Sequence, residues 1–200
     1  MPSTERRGLF FASFAKYADL FAQQGGFNIP ATATLGLALK VDPQSVVALD
    51  AEEIWYAQIA SVANPFANLV SGITPPGNPS YLLGGSNGPG FGWRDTTFYK
   101  LGYQTEVSPH LTLRAGLAYG VQPIPSSEVL FNILAPAVTE WHYSVGASVK
   151  VSKQSELSVA AVVVPAVTQS GPNPLEAPGQ QRITIGMNQF EVDAGYSRRY

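Results

Sequence analysis

The stretch Tyr99–Tyr119, YKLGYQTEVSPHLTLRAGLAY, decides how the rest of the chain is read. Before its central turn, Tyr99, Leu101, Tyr103 and Val107 alternate with Lys100, Gly102, Gln104 and Glu106. After it, Leu111, Leu113, Ala115, Leu117 and Tyr119 alternate with Thr112, Arg114, Gly116 and Ala118. A period of two sends successive side chains to opposite faces of a strand, so each half has one largely apolar face and one polar or small face. Joined by the short turn VSPH, the two halves predict an antiparallel hairpin.

The same pattern spreads in both directions. From Ala31 to Val41 the odd positions are apolar, and Thr32, Thr34, Gly36, Ala38 and Lys40 fill the even ones. Trp141, Tyr143, Val145, Ala147, Val149 and Val151 alternate with His142, Ser144, Gly146, Ser148 and Lys150, and Leu157, Val159, Ala161 and Val163 form a further apolar row. Two segments change phase. In Ser45–Ala57 the apolar set moves from Val47, Leu49 and Ala51 to Ile54 and Tyr56, which predicts a bulge near Glu52 and Glu53. In the last segment it moves from Ile183, Ile185 and Met187 to Phe190, Val192 and Ala194, which predicts a bulge near Gln189.

Seven strands result, most near the 9 to 11 residues that cross a bilayer on a tilt. Their connections alternate strictly. VDPQS, VSPH and SKQS are short, while 59–92, 122–139 and 168–181 are long. All short turns fall at one end of the sheet and all long loops at the other, as in outer-membrane barrels. With the C-terminus at the periplasmic end, Trp55, Tyr99, Tyr119, Trp141 and Tyr143 lie at the external ends of their strands and Tyr200 at the other, forming two aromatic girdles. A soluble sandwich or lipocalin-like barrel also alternates, but one-sided loop lengths and low charge favour the membrane.

Composition agrees. Charged residues make up 13% of the chain, against about 25% in ordinary soluble domains. Nineteen glycines and sixteen prolines suit strands joined by turns and loops. A net charge of -2 gives no basic field for nucleic acid, which is excluded as a partner. Cysteine is absent, so there is no disulfide or thiolate chemistry. No apolar run reaches the roughly 20 residues of a membrane helix, so any spanning is done by strands. In residues 1–27, Arg6 and Arg7 before an apolar run imitate a signal peptide, but Phe10, Phe14, Tyr17, Ala18 and Phe21 recur at helical spacing. That segment is therefore read as an external loop with a short amphipathic helix, and 28–200 as the barrel strands with their loops.

With the apolar rows facing lipid, Gly36, Gly102, Gly116, Gly146 and Gly195 all point inward. They either relieve crowding on a curved wall or clear lumen volume for a ligand or plug. Lys100 and Arg114 also point inward, to steady a carboxylate or to pair with Glu106 or Asp50. The long loops are apolar for external segments, with Phe66, Leu69, Tyr81, Leu82, Leu83 and Phe91 in the first and Val129, Leu130, Phe131, Ile133 and Leu134 in the second. Such clusters bind greasy partners or cover one another. Enzyme signatures are weak. Gly84-Gly85-Ser86-Asn87-Gly88 has the spacing of a nucleophile elbow but lies in a loop rather than between strand and helix. His110 and His142 fall at opposite ends of neighbouring strands, so neither metal nor cofactor is expected.

The stretches GWRDT…YKLGYQ and QPIP…FNILAP, set within GFNIPATATLGLALKVDPQSVVALDAEEI and the closing strand FEVDAGYSRRY, resemble the C-terminal half of the FadL/TodX family of outer-membrane transporters. The resemblance covers nearly the whole chain. It implies an all-β, antiparallel transmembrane barrel, about seven strands being the second half of fourteen. It implies a ligand caught at hydrophobic external loops, passed to a lumen site and released sideways toward the membrane. The function it implies is passive uptake of hydrophobic small molecules, above all long-chain fatty acids, across the bacterial outer membrane, with no enzymatic step. Its candidate ligand-binding residues are Arg94, Lys100 and Arg114 for a head group, and Phe91, Leu130 and Phe131 for a tail. The partners it implies are the ligand, outer-membrane lipid, the outer-membrane assembly machinery and the N-terminal half of the barrel, since the family's plug and opening have no counterpart here. The competing readings are a structural or adhesive barrel and an inactive transporter fragment.

Overall fold

The computed structural model describes residues 28–176 and 181–199. The helix expected within 1–27 and the girdle residue Tyr200 lie outside them. Seven strands form one sheet in chain order: β1 (Thr32–Lys40), β2 (Ser45–Ile54), β3 (Thr96–Ser108), β4 (Leu111–Gly120), β5 (Trp141–Lys150), β6 (Ser155–Pro172) and β7 (Arg182–Arg198). Every neighbouring pair is antiparallel. Among the described residues β1 and β7 are edges and do not pair with each other.

The apolar face of the sheet is left uncovered. On the apolar face Leu35 is 80% exposed, Phe190 72% and Val145 63%. A buried aliphatic side chain gains about 1.5–3 kcal/mol over one left in water, so a soluble sheet would not leave such a face uncovered. No helix among the described residues is long and apolar enough to cross a membrane. At the external end of this face the rings of Tyr119 and Trp141 lie 4.5 Å apart, and Trp141 stacks toward Tyr143 at 6.1 Å. These amphipathic rings suit a water–lipid interface.

The short turns are held by their own polar residues. In VDPQS the Gln44 N–H donates to Asp42 Oδ1 at 2.8 Å, and Val41 N–H to the Ser45 carbonyl at 3.0 Å. At the other end the long connections carry structure. The first contains α1 (Ala60–Ala63) and α2 (Asn68–Ile73), and the second contains two 3-10 turns, Ser126–Glu128 and Phe131–Ile133. Among the described residues, a buried apolar cluster lies under these loops. It comprises Ile124, Val129 and Val138 from the second loop and Ile185 from β7, with Val167, Ile183 and Met187 packed against it.

Three expectations are corrected. β1 and β2 stay in register from Lys40↔Val46 to Thr32↔Ile54, and β2 and β3 likewise from Ser45↔Thr105 to Ile54↔Thr96, so no bulge occurs at Glu52 and Glu53. The bulge expected at Gln189 sits across the ladder on β6. Val164 pairs with Gln189 and Val167 with Met187, which leaves the extra residue in the Pro165–Ala166 stretch. β7 alternates unbroken, and what changes is its surroundings: Phe190 and Val192 face outward below, while Ile183, Ile185 and Met187 face inward against the loop core above. Finally, β6 continues to Pro172, so the third long loop is shorter than 168–181. The extension rises past β5, whose pairing with β6 ends at Tyr143↔Val163.

Candidate functional site

The inner face is built in rows by the register. Ala48, Gly102, Gly116 and Ser144 lie side by side across β2 to β5, and the next row toward the periplasmic end runs Gln104, Arg114, Gly146 and Ala160. These small side chains leave a concavity of about 480 Å³, lined by Val46, Ala48, Gly102, Gly116, Ala160 and Arg114 among others. The glycines divide by cause. A Cβ at Gly36 would strike the Asp50 carboxylate and one at Gly116 the Ser144 hydroxyl, so neighbours use that room. A Cβ at Gly102 would meet only Ala48 Cβ at 3.7 Å, and one at Gly195 would meet nothing within 4 Å. At these two positions no crowding is relieved, and the missing side chain leaves open space.

The three predicted cations have different fates. Lys100 Nζ lies 2.5 Å from Glu52 Oε2, so its charge is matched by that carboxylate rather than by Glu106 or Asp50. Arg114 is held by neutral groups. Its Nε donates to Gln104 Oε1 at 2.8 Å and its Nη1 to Ser148 Oγ at 2.7 Å, and Ser148 Oγ lies 2.8 Å from Ser158 Oγ. Of the five guanidinium donors, these bonds leave the Nη2 pair and one Nη1 hydrogen unengaged among the described residues. Two hydrogen bonds thus orient it, and no carboxylate pairs with it among the described residues. Arg94 is far from both, exposed at the mouth, where it lines an external cleft of about 360 Å³ with Asp95, Gln122, Ser126 and Gln169. The Asp95 carboxylate accepts the Ala57 N–H at 2.7 Å, and no ion pair to Arg94 is found among the described residues.

The apolar candidates lie in the cap. Phe91 and Phe131 stack with centroids 5.1 Å apart and planes at 17°, and Phe66 adjoins Phe131 at 5.7 Å. On the other side Phe91 touches Trp93 at 6.0 Å, and Trp93 meets Tyr56 edge-on at 5.0 Å. Five rings from both long loops thus make a continuous row. Leu130 is half-buried beside it. Burial pushes the Tyr56 phenol up, and the Glu52 charge adds to the effect, so it stays a neutral hydroxyl.

What fixes this row is a set of polar residues that alternation could not reveal. Asn132 is fully buried; its Nδ2 donates to the carbonyls of Phe91 (2.7 Å) and Glu128 (2.8 Å), and its Oδ1 accepts the Trp93 indole N–H at 2.6 Å. The buried Glu128 carboxylate accepts the Phe66 N–H at 2.8 Å and the Ser127 hydroxyl at 3.1 Å. Gly92 has φ +67°, and a Cβ there would run into the Glu128 side chain. Polar groups so buried are stabilising only when satisfied, which makes the two loops one unit. The motifs GFGW and FNILAP contain Gly92, Trp93 and Asn132, so the signal was present in the sequence, but the contact between the motifs was not. No group of three potential metal ligands is found among the described residues.

Residues 15–185 match the family model described as outer membrane protein transport protein (OMPP1/FadL/TodX). The chain belongs to this family. Family members among solved structures share the fold. The Pseudomonas putida toluene transporter TodX superposes with a TM-score of 0.57 at 18% identity, over 88% of this chain and 36% of TodX. A TodX monoaromatic hydrocarbon channel mutant, deltaS2, gives 0.56 at 21% identity, over 87% and 36%. A Pseudomonas aeruginosa FadL homologue gives 0.52 at 15% identity, over 84% and 36%. The chain thus spans about a third of the length of each (36%). No curated protein sequence matches it. As part of a FadL/TodX barrel, the seven-stranded sheet is a segment of an antiparallel barrel wall in the bacterial outer membrane, with its apolar face to lipid and its glycine-lined face to the lumen.

Proposed function

We propose that this chain provides wall, cap and head-group site for passive uptake of hydrophobic small molecules across the outer membrane, with long-chain fatty acids as the ligands it fits best. The observation that carries the reading is Arg114: a guanidinium fixed by Gln104 and Ser148, uncompensated by any carboxylate among the described residues, at the edge of an apolar, glycine-lined hollow. The family's transport role supports the coarser part of this reading.

The energetics need no covalent step. Each methylene taken from water gains about 0.8 kcal/mol, so a long acyl chain is collected by area alone on the ring row and in the hollow. The carboxylate is then chosen by charge-assisted hydrogen bonds to the free Arg114 donors, worth about 1.5–3 kcal/mol. Arg94 at the mouth makes first contact with the anion, and Phe91, Leu130 and Phe131 receive the tail. Lys100, tied to Glu52, contributes less.

Binding of a fluorescent long-chain fatty acid and of its methyl ester to the folded protein tests this. Arg114→Gln is expected to weaken fatty-acid binding about tenfold and to leave the ester unchanged, as loss of a charge-assisted contact predicts. Equal losses for acid and ester would remove the head-group role. A second reading, a neutral monoaromatic ligand, is favoured by the row of five rings. It predicts saturable toluene binding indifferent to Arg114→Gln. An adhesive barrel saturates with neither ligand.

A further inference from the structure

Arg114 has two ways to lean, and its neighbours decide between them. On the β3 side it lies directly opposite Gln104, with Glu106 one lumen-face position further toward the periplasmic end, opposite Thr112. On the β5 side it lies opposite Gly146, with Ser148 at the same level as Glu106. Diagonal neighbours on one face of a ladder stand about 7–8 Å apart and remain within reach of a long side chain. The Glu106 carboxylate and the Ser148 hydroxyl are therefore rivals for one guanidinium. Charge alone favours Glu106, because an ionised acceptor makes the stronger bond. The structure shows the other choice: Nη1 donates to Ser148 Oγ at 2.7 Å, and among the described residues Glu106 takes part in no ion pair.

Two features account for that choice. Gly146 has no side chain, so nothing on β5 stands between the guanidinium and Ser148. Ser148 is also a prepared acceptor. It is 4% exposed, and its Oγ lies 2.8 Å from Ser158 Oγ on β6. A hydroxyl has one hydrogen, and with Arg114 donating to it that hydrogen is directed to Ser158. Bonds in such a chain polarise one another, which strengthens the one to the cation. With Gln104 Oε1 holding Nε at 2.8 Å, neutral residues from three strands hold the charge without neutralising it.

We propose, resting on the head-group role given to Arg114 above, that Ser148, backed by Ser158, is a positioning residue: it holds Arg114 away from Glu106 and so keeps the guanidinium open to a carboxylate carried by the ligand. The folded whole chain is titrated with a fluorescent long-chain fatty acid and with its methyl ester, and the ratio of the two affinities is read. Ser148→Ala lets Arg114 swing to Glu106 and should lose about tenfold in preference for the acid. Its ester binding should be unchanged, which also shows that the variant is folded. Adding Glu106→Gln to Ser148→Ala should restore most of the preference, a rescue that a merely structural role for Ser148 does not produce. Ser148→Thr, which keeps the hydroxyl, should behave as the parent. Gln104→Glu puts a carboxylate against Nε without touching Ser148 and should lose the preference too. A parent protein that binds acid and ester alike removes the head-group role itself, and the positioning role with it. If the parent prefers the acid, the positioning role alone is overturned by a Ser148→Ala or Gln104→Glu variant that keeps the preference, or by Glu106→Gln failing to restore it.

Discussion

The wall and the cap of this molecule are built on opposite plans. In the wall, apolar side chains point away from the protein and small or polar ones point in, because the outer solvent is lipid and the inner face is the lumen of the barrel. In the cap the order reverses. Ile183, Ile185 and Met187 point in, toward Ile124, Val129 and Val138, and Thr184 lies outward with its hydroxyl 2.6 Å from Ser170 Oγ. One strand, β7, runs through both plans without a break in its alternation. Polarity along a strand therefore reports which medium each face meets, and a change of phase does not require a change in the backbone.

The sharpest way to break the contrast is to place a charge on the lipid side of the wall. Val145→Arg, at the centre of β5, should cost about 2–4 kcal/mol in a bilayer. Gly102→Ala on the lumen side, where the new methyl meets only Ala48, should stay within about 0.5 kcal/mol. Urea titration in vesicles reads both, and equal costs would mean that the faces are misassigned. Next comes the cap. Gly92→Ala forces a left-handed residue and drives a methyl toward Glu128, which should cost about 2 kcal/mol. Hydrogen exchange should localise the loss to the loops, with the amides of β3 to β5 still protected. The smallest effects sharpen the comparison within β7 itself. Val192→Thr, on the lipid face, should destabilise by about 1 kcal/mol, whereas Thr184→Val, in water on the same face further up, should change stability by less than about 0.5 kcal/mol. Matching values would mean that both positions meet the same medium.

The strand pattern was legible because a two-solvent wall writes itself into alternation residue by residue. Strand order, hairpin connections and the one-sided distribution of long loops followed from it. The two misplaced bulges came from one assumption, that the apolar face keeps its side throughout. At Ile183 to Met187 the lumen side gains a lid, so apolar residues move there while pairing continues, and at Ile54 the pairing likewise continues unbroken. Of the site, the inward cations and the loop aromatics were visible as types. The partners of Lys100 and Arg114 were not, because Glu52 reaches Lys100 diagonally and Ser148 reaches Arg114 from another strand. Asn132 and Glu128 were hidden more deeply, since a polar residue in an external loop reads as solvated until the second loop is seen to close over it.

The irregularity at Pro165 and Ala166 has a consequence for how such a protein can change over time. Below it, odd residues of β6 look at lipid; above it, they look inward, where Gly171 lies against the second loop at Ser126. The irregularity resets parity at the membrane boundary, so the external half of the hairpin is uncoupled from the frame of the embedded half. A lineage can lengthen, shorten or exchange the part above this joint without shifting any lipid-facing residue below it. The loops can thus diversify on a wall that stays fixed.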